Sequence, residues 1–179
     1  MDDFIPFGGE EYFILLALLL FARGMDFLST WVATPHLVLE GNPIAKWLGW
    51  KWGGVLNLVL CIGFACAPLP AVIISTTSLL VAARNFQGAW LMRTMGEQAY
   101  HQWMSERLGE TRGGLFLFCL FAQSLLTAGV GVALMWFGNL LLVPTGVGVG
   151  MIGYALAVLV YSLIAGGRGR RHRPSNGEI

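Results

Sequence analysis

Charge is what this chain has least of. Asp, Glu, Lys and Arg make up 12% of its 179 residues while 56% are hydrophobic, against ~25% charged residues in a soluble domain. That imbalance excludes a soluble core of this size and requires lipid as solvent. Cysteine is sparse too: Cys61, Cys66 and Cys119 lie in apolar runs, where free thiols behave as small hydrophobes. No CxxC spacing occurs, so neither a disulfide nor a metal site is expected. The amino terminus lacks the basic region of a secretory signal, being acidic through Asp2, Asp3, Glu10 and Glu11. No small-residue cleavage site follows, and the first hydrophobic run is expected to stay in the mature protein. Walker motifs, paired DxxD or HxxxH sets and a nucleophile beside a plausible base are also missing.

What is present is a series of long apolar runs. Residues 11–33, 51–67, 70–90, 113–137 and 143–166 each approach the ~20 residues that a helix needs to cross a ~30 Å hydrocarbon core. The expected fold is therefore all-α, a single helical membrane bundle over residues 1–166 with five transmembrane helices, four being the alternative. Residues 167–179, basic and rich in Gly, read as a disordered tail. Pro68 and Pro70 punctuate one short connection, and Gly138, Asn139 and Pro144 the other.

Lys and Arg follow an alternating pattern. None lies in the amino-terminal segment, near Pro68 or near Asn139. The opposite set of loops holds Lys46 and Lys51, then Arg93, Arg107 and Arg112, then Arg168, Arg170, Arg171 and Arg173. Cytoplasmic loops retain basic residues, so the pattern predicts an outward amino terminus, a cytoplasmic carboxyl terminus and an odd number of spans in a bacterial inner membrane. Trp47, Trp50 and Trp52 fall at the inner interface and Trp136 at the outer one. Asn42 then Pro43 reads as a helix cap followed by proline in the first turn. The piece it opens, with Ile44, Trp47 and Leu48 on one face, is expected along the membrane surface. A second amphipathic piece between Arg93 and Arg112 is expected on the headgroups or as a continuation of the third span.

The informative residues are the polar ones inside spans, because lipid makes them costly. Arg23, Asp26 and Thr30 share one helical face by their spacing. Counting rise puts Asp26 ~22 Å, Arg84 ~21 Å and Asn57 ~21 Å from the outer side of a ~30 Å core. These depths predict a buried layer in the cytoplasmic half, with Asp26 pairing with Arg23 or Arg84 and with Asn57 and Asn85 satisfying what is left over. Gln123, Ser124 and Thr127 are expected to face the same layer, while Ser75, Thr76, Thr77 and Ser78 are equally suited to bonding within their own helix.

The run Asp26, Thr30, Glu40, Gly41, Asn42, Pro43 resembles the Asp-x-x-x-Thr and Glu-x-Asn-Pro signature of a family of small prokaryotic membrane proteins classed as a domain of unknown function. Arg84-Asn85 is similar to an Asn that the family carries near the end of its third span. The resemblance covers roughly the first ninety residues and implies the fold but no activity. It adds Glu40 and Asn42 to the candidate site. The family's frequent Lys in the second span has only Asn57 as its counterpart here.

Other motifs read as structural. Residues 148–153 match GxGxxG but sit in a continuous apolar run without a preceding strand, which excludes a nucleotide loop. Gly146 and Gly150, with Gly129 and Gly131 in the preceding span, predict close packing between the fourth and fifth spans. Glu97 and His101 stand four apart as a possible metal pair, and His36 as a possible axial ligand; a solvated helix face and an interfacial His explain them better. No metal, cofactor or nucleic acid is expected, while bound lipid is. The functional expectation is a non-catalytic membrane subunit or accessory protein that docks on other subunits or on its own copies. The alternative is an enzyme or transporter working through Asp26, Glu40, Asn42, Asn57 and Arg84 on a lipid headgroup or on protons.

Overall fold

The computed structural model describes residues 4–40 and 43–171, and among them six helices and no strand. They are α1 (Glu10–Ala33), α2 (Pro43–Phe64), α3 (Pro68–Met95), α4 (Glu97–Glu110), α5 (Gly113–Phe137) and α6 (Leu142–Arg171). Five contain stretches long and apolar enough to cross a membrane: Glu10–Ala33, Ala45–Phe64, Pro68–Met95, Gly113–Phe137 and Leu142–Gly167. The chain is a multi-pass helical membrane protein.

Local chemistry sets several boundaries. Glu10 and Glu11 occupy the first turn of α1, where carboxylates oppose the positive end of the helix dipole. Pro68 opens α3, where its missing N–H costs nothing. α3 continues past Trp90 to Met95 and stops at Gly96, whose φ of 82° few side-chain-bearing residues adopt. The second amphipathic piece is therefore a separate helix, α4, and does not continue the third span. Gly49 breaks α2 in the same way, with φ 64° and ψ −173°. It divides the piece carrying exposed Trp47 from the apolar stretch that follows. At the carboxyl end the helix runs through Arg171, so residues 167–171 correct the expected disordered tail; elongating a formed helix costs far less than starting one. Residues 172–179 lie outside the described residues, as does Asn42.

The two ends of the bundle differ in charge. At one end the Ile5 amide donates to the Cys66 carbonyl at 2.9 Å, and Gly138 abuts Pro144. At the other, Glu97 grips the loop after α1, and Gly166 touches Phe116. Lys46, Lys51, Arg93, Arg107, Arg112 and the end of α6 all belong to that second end.

α3 is the hub, packed against α1 on one side and α6 on the other, with α5 beyond α6 and α2 against α1 and α3. α1 and α3 run parallel and meet along small residues. On α3 the buried positions are Ala71, Ser75, Ser78, Ala82 and Ala89, with Val72 buried against Gly146 of α6; half-buried Asn85 completes a four-three alternation of the first five. On α1 the matching row is Tyr12, Leu19, Ala22, Ser29 and Ala33, with Leu15 and Asp26 in the intervening places. Such a heptad seam keeps two helices in register over their whole length, and small residues let their backbones approach without a hydrophobic drive.

The glycines are deployed differently from expectation. Gly146 and Gly150 face α3: a Cβ on Gly146 would lie 2.7 Å from Val72, and one on Gly150 would lie 2.8 Å from Thr76 and 2.9 Å from the Ile73 carbonyl. The contact between α5 and α6 is made by Gly131 and Gly148, each closing on the other's carbonyl, whereas Gly129 has open space beside it. Gly146 and Gly150 lie on α6 one turn apart, and Gly148, between them, projects to the other side; α6 presents glycine to both neighbours.

Candidate functional site

Arg23 is the centre of the polar layer. Its Nε donates to Asn57 Oδ1 at 2.6 Å, and its Nη1 donates to Asp26 Oδ2 at 2.7 Å and to Ser78 Oγ at 3.0 Å. One guanidinium thus ties α1 to α2 and α3, using the fixed fork geometry that distinguishes Arg from Lys. Asn57 returns its own amide to the Gly53 carbonyl at 2.7 Å, which fixes its oxygen toward Arg23. One turn further along α1, Asn85 donates to Ser29 Oγ at 3.3 Å and Thr30 Oγ1 at 3.2 Å. Ser29 in turn donates to the Asp26 carbonyl at 2.9 Å.

The structure brings Arg23, Asp26, Thr30, Asn57 and Asn85 together and leaves Arg84 out. Arg84 is exposed on α3, although it lies at the depth expected for it. Adjacent helix residues point ~100° apart, and it is Asn85 that occupies the seam. Of the two partners expected for Asp26 it is Arg23 that pairs with it, and α3 reaches the layer through Ser78, which precedes Asn85 by seven residues, a spacing that signals a shared face. Ser29 was also missed, hidden beside Thr30. Thr77 does bond within its own helix, to the Ile73 carbonyl at 2.9 Å, and also across to the Gly150 carbonyl at 3.1 Å. Glu40 is half-buried and near enough to Asp26 for their charges to repel. Arg23 and Asp26 side chains are 28% and 16% exposed. Gln123 is exposed and Ser124 buried on α5, a helix remote from the layer.

A second polar arrangement lies at the basic end. Glu97, expected with His101 on a solvated helix face, instead reaches the α1–α2 loop. Oε2 accepts from Thr34 Oγ1 at 2.6 Å and from the Val38 amide at 3.1 Å; Oε1 accepts from the His36 amide at 2.9 Å and meets His36 Nδ1 at 3.0 Å. Thr34 Oγ1 also accepts from the Leu39 amide at 3.1 Å, and Trp50 Nε1 donates to the Pro35 carbonyl at 2.8 Å. The carboxylate thereby satisfies a turn in which Leu37 has φ 57°. Burial pushes the Glu97 carboxyl up, but the Thr34, His36 and Val38 donors outweigh it and hold the group down at about 2. His101 is exposed, and among the described residues no three His, Cys, Asp or Glu side chains gather as a metal site would require. Beside the loop is a cleft of about 400 Å³ between Pro35, His36 and Val38 and the α3–α4 break.

Comparison with protein-family models, with curated proteins and with solved structures finds no match to this chain. Fold and site together describe a multi-pass membrane protein in which Arg23, Asp26, Asn57 and Ser78 are bonded to one another across three helices.

Proposed function

We propose that this chain is a non-catalytic integral membrane subunit, an accessory protein that docks through its transmembrane helices on a larger assembly. The observation that carries the reading is the disposition of Arg23, whose donors go to Asn57, Asp26 and Ser78. A catalytic or transport site needs polar groups left available to a ligand, and here the groups with the chemistry are joined as a fastening. Asp26 and Asn85 occupy seam positions between α1 and α3, the places where polar residues fix helix register. The outer face of α5, with Phe118, Phe121, Leu125 and Leu126 each more than half exposed, is free to meet lipid or a neighbouring helix.

The orientation belongs to the same proposal. Basic residues at one end of the bundle favour that end in the cytoplasm of a bacterial inner membrane, with the amino terminus outside. The resemblance of Asp26, Thr30 and Glu40 to the small prokaryotic membrane family fits this setting. Extraction into polymer-bounded nanodiscs without detergent, followed by particle-mass measurement, tests the reading. A particle holding other polypeptides or further copies is expected; a lone chain in lipid contradicts it.

A further inference from the structure

The cleft at the basic end holds a cation that its obvious partner does not neutralise. Arg93 stands four residues before Glu97, yet Glu97 spends both carboxylate oxygens on Thr34, His36 and Val38. Each oxygen already faces two donors, and a carboxylate offers about four acceptor sites. Arg93 instead lies over the Trp31 ring, its guanidinium carbon 5.5 Å from the centroid. A guanidinium stacked on an aromatic face keeps its in-plane N–H groups for another acceptor. Among the described residues none of those N–H groups is bonded to protein.

The surroundings define what that acceptor is. Arg93, Pro35, His36, Val38, Met92 and Glu97 line the cleft of about 400 Å³, within the ~300–1,000 Å³ span of small-molecule sites. Lys46 reaches the same loop from outside the cleft, donating to the Val38 carbonyl at 3.2 Å, which places a second cation near Arg93. Trp31 and Trp90, 50% and 68% exposed, mark the level of an interfacial aromatic belt. An oxyanion at that level of a bilayer is first of all a phospholipid phosphate.

We propose that this cleft binds the phosphate of an anionic phospholipid headgroup, held by Arg93 from its seat on Trp31 and favoured by Lys46. The site is independent of the subunit reading and requires only that the bundle span a membrane. Glu97 serves it indirectly: by shaping the loop it builds one wall, and by satisfying its own carboxylate there it leaves Arg93 to the lipid.

Native mass spectrometry of the full chain, released from nanodiscs of equal phosphatidylglycerol and phosphatidylcholine content, tests the site. Retention of one phosphatidylglycerol over phosphatidylcholine by about tenfold is expected, and Arg93→Gln should bring the two lipids to near parity, as loss of a charged hydrogen-bond pair does. Arg107→Gln, which breaks only an exposed pair with Glu110, should leave retention unchanged. Unaltered amide exchange of residues 34–39 in Arg93→Gln establishes that the wall is intact. Equal retention of both lipids by the unaltered chain, or full retention by Arg93→Gln, overturns the proposal. Glycerol 1-phosphate held by delipidated protein as tightly as phosphatidylglycerol would assign the cleft to a soluble phosphate ester and overturn its lipid part.

Discussion

Arg23 and Arg84 lie in the same stretch of bilayer and have opposite fates. Arg23 is bonded to three side chains on three helices; Arg84 is exposed and belongs to none of those contacts. Arg23→Met leaves Asp26 without its cation and should cost about 2–4 kcal/mol, since an orphaned buried charge costs more than the pair contributes. Asp26→Asn keeps an acceptor for the guanidinium and should cost about 1–2 kcal/mol. Arg84→Gln should change stability by no more than ~0.5 kcal/mol, as at other sites without partners. Thermal unfolding in nanodiscs, followed by tryptophan fluorescence, ranks the three. Glu97 supplies a pH test: its carboxyl falls from an ordinary 4.5 to about 2 in the folded chain. The stabilisation is therefore complete above about pH 4.5 and is lost as the pH falls toward 2. Protection of the amides at residues 36 and 38, relative to their intrinsic exchange at each pH, should fall over that window, and in Glu97→Gln it should already be low at neutral pH with no further acid step.

The helices were legible from sequence because lipid demands long apolar runs, and those runs cannot be mistaken for anything shorter. Depth was legible as well: a fixed rise per residue brought Asp26, Asn57 and the Arg84-Asn85 pair to one level. Rotation about α3 was not, because Arg84 and Asn85 are adjacent and charge drew attention to the wrong one. The row of Ala71, Ser75, Ser78, Ala82, Asn85 and Ala89 carries the missing information, since its four-three spacing excludes position 84. The same gap explains the glycines: their spacing indicates close packing without saying which neighbour approaches. Gly150→Leu should push α6 off Thr76 and the Ile73 carbonyl and destabilise by at least ~1–3 kcal/mol. Gly129→Leu, with open space at its Cβ, should be tolerated, and expression level with melting temperature separates the two. The Glu97 latch was illegible because it joins residues some sixty positions apart through a loop whose shape no local pattern encodes.

Among the described residues, the basic side chains of the loops gather at one end of the bundle, and the bonded polar groups around Arg23 form one joint. Fusing a reporter that fluoresces only in the cytoplasm to the carboxyl terminus, and one active only outside to the amino terminus, should give signal from both. Dark fusions of both kinds would invert the orientation and the assignment of the basic end.

The joint itself is tested most directly on the unmodified protein, by treating it in nanodiscs with a water-soluble carbodiimide and an amine and mapping the adducts. Glu110, 63% exposed, serves as the reactive standard. If Asp26 is committed to Arg23 as a fastening, it stays unmodified while Glu110 is consumed. Modification of Asp26 at a rate comparable to Glu110 would mean that water and reagent reach the layer, and that the layer is a site and not a joint.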